Sequence, residues 1–291
     1  MHAPLQTAVI AGATLRYLDL GTGEPLMLLH GYPQSHRCWR FQAQELARTH
    51  RVIAPDWFGW GESQRSLALA PEYGAEVERI GLLGDALGLG SFNLAGHDYG
   101  GFLALGFCLR APERVARLAI LNSRAHRSFS PAFYRRTALQ CWMARRSLPR
   151  ALLAALPAYR LHRRELVRYV PRSFSDETLE HYIGWMRGAE GRRWLAHFFR
   201  HYDVHPRAEL AAGLAGIDVP TAVIWGERDR YCPAAIAHEL ADRIPGAVLS
   251  LVATARHFVA EEAPEAVLEA LRAWLARPAP LPAPQERRAG E

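Results

Sequence analysis

The chain reads as an α/β protein: a mostly parallel eight-stranded sheet flanked by helices, with an inserted helical segment. Three observations predict this. Short, continuously apolar runs alternate with amphipathic stretches of helical length, the pattern of strands covered on both faces. Glycine-rich and turn-forming residues close several of those runs. One stretch, residues 124–215, has no buried-strand pattern and is rich in Arg, Leu, Ala and aromatics.

The elements follow in order. Thr7–Ala11 and Thr14–Leu18 read as two short opening strands, and Gly21-Thr22-Gly23-Glu24-Pro25 as a turn. Leu26–Leu29 is a buried strand ending at His30-Gly31-Tyr32-Pro33, and Arg37–Thr49 fits an amphipathic helix. Val52–Ala54 is the next strand, and the glycine-rich loop Pro55–Ser63 follows it. Residues 72–88 read as helix, Phe92–Ala95 as strand, Gly100–Arg110 as helix and Arg117–Leu121 as strand. Alternation stops there and resumes with strand Thr221–Trp225, helix Pro233–Arg243, strand Ala247–Val252 and helix Glu261–Ala276. The expected domains are a core of residues 1–123 and 216–276, a helical cap of 124–215, and a disordered tail of 277–291 carrying four prolines and many charges. Right-handed crossovers put the strand C-termini along one edge, so the insertion should cover that edge as a lid.

The 291 residues suffice for one sizeable core plus an inserted subdomain. No apolar run approaches membrane-span length, and Met1–Leu5 lacks a basic region leading into an apolar one. The expected location is the cytoplasm, with no membrane partner. The formal charge is +6, and all 35 basic residues are arginine. The absence of lysine excludes Schiff-base catalysis and a P-loop. No stripe of interleaved aromatics accompanies the arginines, so a nucleic-acid partner is not expected. Cys38, Cys108, Cys141 and Cys232 are scattered and read as free thiols. No cluster has zinc-ligand spacing, so neither a metal nor another cofactor is expected.

The chemistry concentrates at Gly96-His97-Asp98-Tyr99-Gly100, directly after a strand. This is the spacing of a nucleophile elbow, which projects its middle side chain from a tight strand-to-helix turn. The usual occupant is serine, whereas here it is Asp98. A carboxylate suits displacement at saturated carbon and would leave an ester on the enzyme. Asp229 follows the strand Thr221–Trp225, and His257 follows the last strand. The order Asp98, Asp229, His257 is that of nucleophile, orienting acid and general base in elbow hydrolases. The backbone N–H groups of Tyr32 and Tyr99 are the expected oxyanion donors.

These motifs, over residues 7–276, resemble the α/β-hydrolase superfamily and, more narrowly, its aspartate-nucleophile branch. That branch holds epoxide hydrolases, haloalkane dehalogenases and haloacetate dehalogenases. The resemblance implies attack by Asp98, an alkyl–enzyme ester, and hydrolysis of that ester by water that His257 activates. Haloalkane dehalogenases usually place Trp after the nucleophile and often Asn after the His-Gly, positions held here by Tyr99 and Tyr32. Haloacetate dehalogenases place Arg where this chain has Tyr99 and Phe102. Epoxide hydrolases use cap tyrosines to protonate the leaving oxygen, and Phe199 stands where one of them would align. Tyr134, Tyr159, Tyr169, Tyr182, Tyr202, His162, His181 and His201 remain as cap donors. Epoxide hydrolysis is the preferred expectation. Dehalogenation, ester, lactone or C–C hydrolysis, and a non-enzymatic ligand-binding role remain alternatives. The expected substrate is a small, largely apolar organic molecule, in a pocket drawn from His30, Trp57, Tyr134, Tyr182, Phe199 and Tyr202.

Overall fold

The computed structural model describes residues 4–125, 129–169 and 174–279. Eight strands form one sheet: β1 (Gln6–Ile10), β2 (Ala13–Leu20), β3 (Glu24–Leu29), β4 (His50–Pro55), β5 (Phe92–His97), β6 (Val115–Leu121), β7 (Thr221–Gly226) and β8 (Val248–Val252). Their order is β1-β2-β4-β3-β5-β6-β7-β8. The β2 strand is antiparallel to both neighbours, and every pair from β4 to β8 is parallel. Strands β5 and β7 are buried at every position, which is why both read as unbroken apolar runs rather than alternating ones.

The helices of the sheet layer are α1 (Arg40–Leu46), α2 (Tyr73–Ala86) and α3 (Tyr99–Arg110). Between β6 and β7 lie α4 (Pro131–Ala144), α5 (Ser147–Ala155), α6 (Ala158–Tyr169), α7 (Asp176–Ile183), α8 (Ala189–His201) and α9 (Ala208–Gly213). The chain returns to the sheet layer with α10 (Ala234–Arg243), α11 (Val259–Glu262) and α12 (Pro264–Leu275). Two expected helices are shorter or broken. The stretch from Arg37 begins as a 3-10 turn at His36–Trp39 before α1. The last helix splits at Ala263, because Pro264 has no N–H to continue the α11 ladder.

Helix α8 sets the insertion on the strand-end loops. Trp194 meets Phe58 edge-on at 5.0 Å, and Phe198 meets Trp60 edge-on at 5.0 Å. Phe198 also stacks on Tyr32 at 6.0 Å and stands edge-on to Tyr99 at the same distance. One apolar helix face therefore touches the loops after β3, β4 and β5. Each such ring brings roughly 1.5–3 kcal/mol of apolar burial, and edge-to-face geometry adds about 0.5–1.5 kcal/mol.

Residues 280–291 of the expected tail lie outside the described residues. Arg277, placed in that tail by sequence, is instead tied to the sheet layer. Its guanidinium donates to the Thr221 and Gly246 carbonyls at 2.8 Å each, and its carbonyl accepts from Arg117. Among the described residues, no helix is long and apolar enough to cross a membrane.

Glycine at 96 and 100 is demanded by contact. A Cβ on Gly100 would stand 2.3 Å from the Leu29 carbonyl oxygen, and one on Gly96 would stand 2.3 Å from that of Gly100. Gly100→Ala should destabilise the protein by about 1–3 kcal/mol through overpacking against backbone. Urea unfolding checks this; an unchanged midpoint would mean that the turn relaxes freely.

Candidate active site

Asp98 sits at the turn between β5 and α3 with φ 49 and ψ −115, a left-handed conformation that a non-glycine residue adopts only under surrounding constraint. The constraint is visible. The Asp98 N–H donates to the Leu121 carbonyl at 3.0 Å, and the Asp98 carbonyl accepts from Phe102 N–H and from the Ser123 hydroxyl. The residue is 8% exposed, and its carboxylate points out of the strand end. Its Oδ2 accepts the Tyr32 N–H at 2.8 Å, and the Tyr99 N–H also bonds the carboxylate. Burial raises the Asp98 pKa, while the facing His257 and the two N–H groups pull the other way.

His257 Nδ1 donates to Asp229 Oδ2 at 2.7 Å, and its Nε2 lies 3.6 Å from Asp98 Oδ1. Burial opposes charge on His257. The Asp229 carboxylate, its hydrogen bond and the Asp98 charge overcome that, raising the pKa to about 9. Asp229 is held by a full set of donors. Its Oδ1 accepts from the Tyr231 and Cys232 N–H groups and the Tyr169 hydroxyl; its Oδ2 also accepts Asn122 Nδ2 at 2.8 Å. His97 Nε2 donates to the His257 carbonyl at 2.7 Å, and Glu262 accepts the Arg256 and Phe258 N–H groups. These bonds fix the histidine loop from both sides. Burial, then the neighbouring His257, lowers the His97 pKa to about 3, so that ring is neutral.

Asp98 and His257 open into a cavity of about 650 Å³. Of the sequence-selected pocket residues, Phe199 and Tyr202 line it, and so does Tyr32. Four others are placed elsewhere. His30 and Trp57 are spent on each other: Trp57 N–H donates to His30 Nε2, and Trp57 Nε1 donates to the His30 carbonyl at 2.7 Å. That exchange ties the loop carrying Tyr32 to the loop after β4. Tyr182 is fully buried, and its hydroxyl donates to Glu261 at 3.0 Å. The Tyr134 hydroxyl bonds His205. Asp56 accepts the His36 and Glu62 N–H groups, and its carbonyl accepts the Ser63 hydroxyl.

Among the cap donors weighed from sequence, Tyr169, Tyr202 and His162 reach the cavity wall; Tyr159, His181 and His201 are not part of it. The Tyr32 hydroxyl bonds His162 Nε2, and His162 Nδ1 donates to the Ala158 carbonyl at 2.8 Å. Burial lowers the His162 pKa and keeps its Nε2 an acceptor. Tyr231, which sequence reasoning missed, also lines the cavity and donates its hydroxyl to Glu165. Asn122 was missed too. It takes φ 38 at the end of β6, donates to Asp229 and accepts the Gly226 N–H at 2.9 Å. An asparagine directly after an apolar strand was the available signal, since it tolerates the left-handed region.

Asp229, Cys232 and His257 bring three potential ligand atoms within 4.8 Å of one another. A metal there would have to replace the Nδ1–H bond and compete with the donors already on Asp229. That donor set fits an oriented carboxylate better than a cation site.

Residues 24–264 match the family described as alpha/beta hydrolase fold. The chain is 27% identical to haloalkane dehalogenase 2 of Mycobacterium tuberculosis, over 88% of this chain and 90% of that protein. Two solved structures share 26% identity with it. One comes from work on epoxide hydrolases in metagenomes from hot environments, with a TM-score of 0.78 over 95% of this chain and 99% of that one. The other is a thermophilic esterase from Thermogutta terrifontis, with a TM-score of 0.72 over 94% and 98%.

Proposed function

The chain belongs to the alpha/beta hydrolase fold family, and from that premise we propose that it opens epoxides to vicinal diols through an ester on Asp98. The observation that carries this reading is a buried carboxylate whose Oδ2 already accepts a backbone N–H, that of Tyr32, with the Tyr99 N–H also turned to the carboxylate. A serine-type hydrolase keeps those donors for an acyl oxygen on its substrate; here they serve the residue itself.

Asp98 Oδ1 attacks the less hindered epoxide carbon. The C–O bond breaks, and its electron pair goes to the ring oxygen. Tyr202 donates the proton: it lines the cavity, burial keeps its hydroxyl protonated, and the Arg124 guanidinium lies 6.0 Å from its ring. Tyr169 and Tyr231 have committed their protons to Asp229 and Glu165. Water from the cavity, placed beside His257 Nε2, which lies 3.6 Å from Asp98 Oδ1, then attacks the Asp98 ester carbonyl. His257 takes the water proton, Asp229 holds the imidazolium, and the Tyr32 and Tyr99 N–H groups hold the oxyanion on Oδ2. Collapse passes the remaining water proton to the leaving alkoxide, releases the diol and restores the Asp98 carboxylate, and the proton on His257 returns through solvent to the Tyr202 phenolate. Residues 124–215 act as a cap over a core of 1–123 and 216–276, keeping bulk water from the ester.

A halide would want indole N–H donors, but among the described residues the cavity wall holds four tyrosines and no tryptophan. That composition favours an oxygen leaving group.

A single turnover of a styrene oxide-type substrate in heavy-oxygen water tests the reading. The diol from the first turnover should be unlabelled and the Asp98 peptide labelled. Label in that first diol, or turnover of aryl esters alone, would overturn it.

A further inference from the structure

Resting on that reading of the site, we propose that the cavity mouth recognises an anion, so that the substrate is an apolar molecule with its reactive carbon at one end and a carboxylate at the other. Five arginines line the cavity: Arg136, Arg164, Arg168, Arg230 and Arg256. Besides Asp98, one acid faces them, Glu165, and it is already taken. Arg136 donates to Glu165 at 2.6 Å, and the Tyr231 hydroxyl donates to the same oxygen. Arg256 is spent on the Tyr169 carbonyl.

Arg164, Arg168 and Arg230 have no carboxylate partner among the described residues. Elsewhere on the insertion Arg163, Arg187 and Arg207 form ion pairs, while Arg160, Arg193 and Arg200 form none among the described residues; what sets Arg164, Arg168 and Arg230 apart is that all three line one cavity. Arg164 and Arg168 stand one turn apart on α6, where like charges repel by a few tenths of a kcal/mol. A bound anion relieves that repulsion, and the planar guanidinium fork matches a carboxylate with two parallel hydrogen bonds.

The depth of the groups orders the ligand. Asp98 is buried, whereas Arg164, Arg168 and Arg230 are exposed. Phe133, Leu166, Phe198 and Phe199 lie on the same wall. The reacting carbon goes down and the carboxylate stays up, near solvent.

Binding of octanoate and octanamide to the full chain, measured by calorimetry, tests this. Octanoate should bind about tenfold more tightly, a modest margin because exposed pairs are screened. The margin should shrink as salt rises and approach unity in the Arg164→Gln/Arg168→Gln/Arg230→Gln protein. Equal affinities, or a preference that survives the three substitutions, would overturn the anion site. Neither probe carries a reactive carbon, so the result stands apart from the chemistry. Octanoate preference without epoxide opening would remove the proposed reaction and leave the anion site. Epoxide opening without the preference would do the reverse.

Discussion

His257→Gln is expected to turn the protein into a reagent that reacts once. Attack by Asp98 needs no base, so an epoxide should still be opened and the ester should still form. Hydrolysis of that ester needs a proton acceptor beside the water, and glutamine is not one. General-base assistance is worth about 100–10,000-fold, which puts the ester lifetime beyond the time of a mass measurement. The intact mass should rise by that of the added epoxide, with the increment confined to the peptide containing Asp98. Multiple turnover should fall by a similar factor. If no increment appears with epoxides, bromoalkanes or aryl esters, covalent attack by Asp98 is wrong.

Asp98→Asn should lower turnover by on the order of 10⁴–10⁶-fold, the scale seen when a nucleophile that acts with its base is removed. The same variant carries a second readout. The Asp98 charge is one of the groups that raise His257 to about 9. Removing it leaves Asp229 in place but takes away one stabilising anion, so the imidazole should titrate lower, as followed by NMR of its ring protons. An unchanged titration would mean that the two side chains do not sense each other across 3.6 Å. Under the proposed mechanism, esterification would neutralise Asp98 in the same way: the charged pair would keep the imidazole protonated before attack, and once the ester formed the proton would be held less tightly and the base freed for the step that uses it.

The strand framework was legible because strands such as β5 and β7 are buried on both faces, so nearly every side chain along them has to be apolar or small. The elbow was legible because Gly96 and Gly100 answer contacts that no other residue satisfies. The wall of the cavity was not. Tyr182 and Tyr202 are both tyrosines on the helical insertion, and which of them meets the cavity depends on how α7 and α8 are rotated against their neighbours. Sequence periodicity gives each helix a buried face but does not say what lies across from it. The arginines of α6 posed the same problem: Arg163 and Arg164 are adjacent, yet one meets Asp176 and the other the cavity. Asn122 stayed hidden because its partners, Asp229 and Gly226, are more than a hundred residues away in sequence.

Tyr169 ends α6, and its ties reach the loops that carry Asp229 and His257. Its hydroxyl donates to Asp229 and accepts the Arg230 N–H at 2.7 Å, while its carbonyl takes the Arg256 guanidinium. Any opening of that helix would therefore also loosen the hold on Asp229 and slacken the loop that carries His257. On the proposed reaction, entry and chemistry would then alternate: the doorway would be widest when the machinery is least assembled.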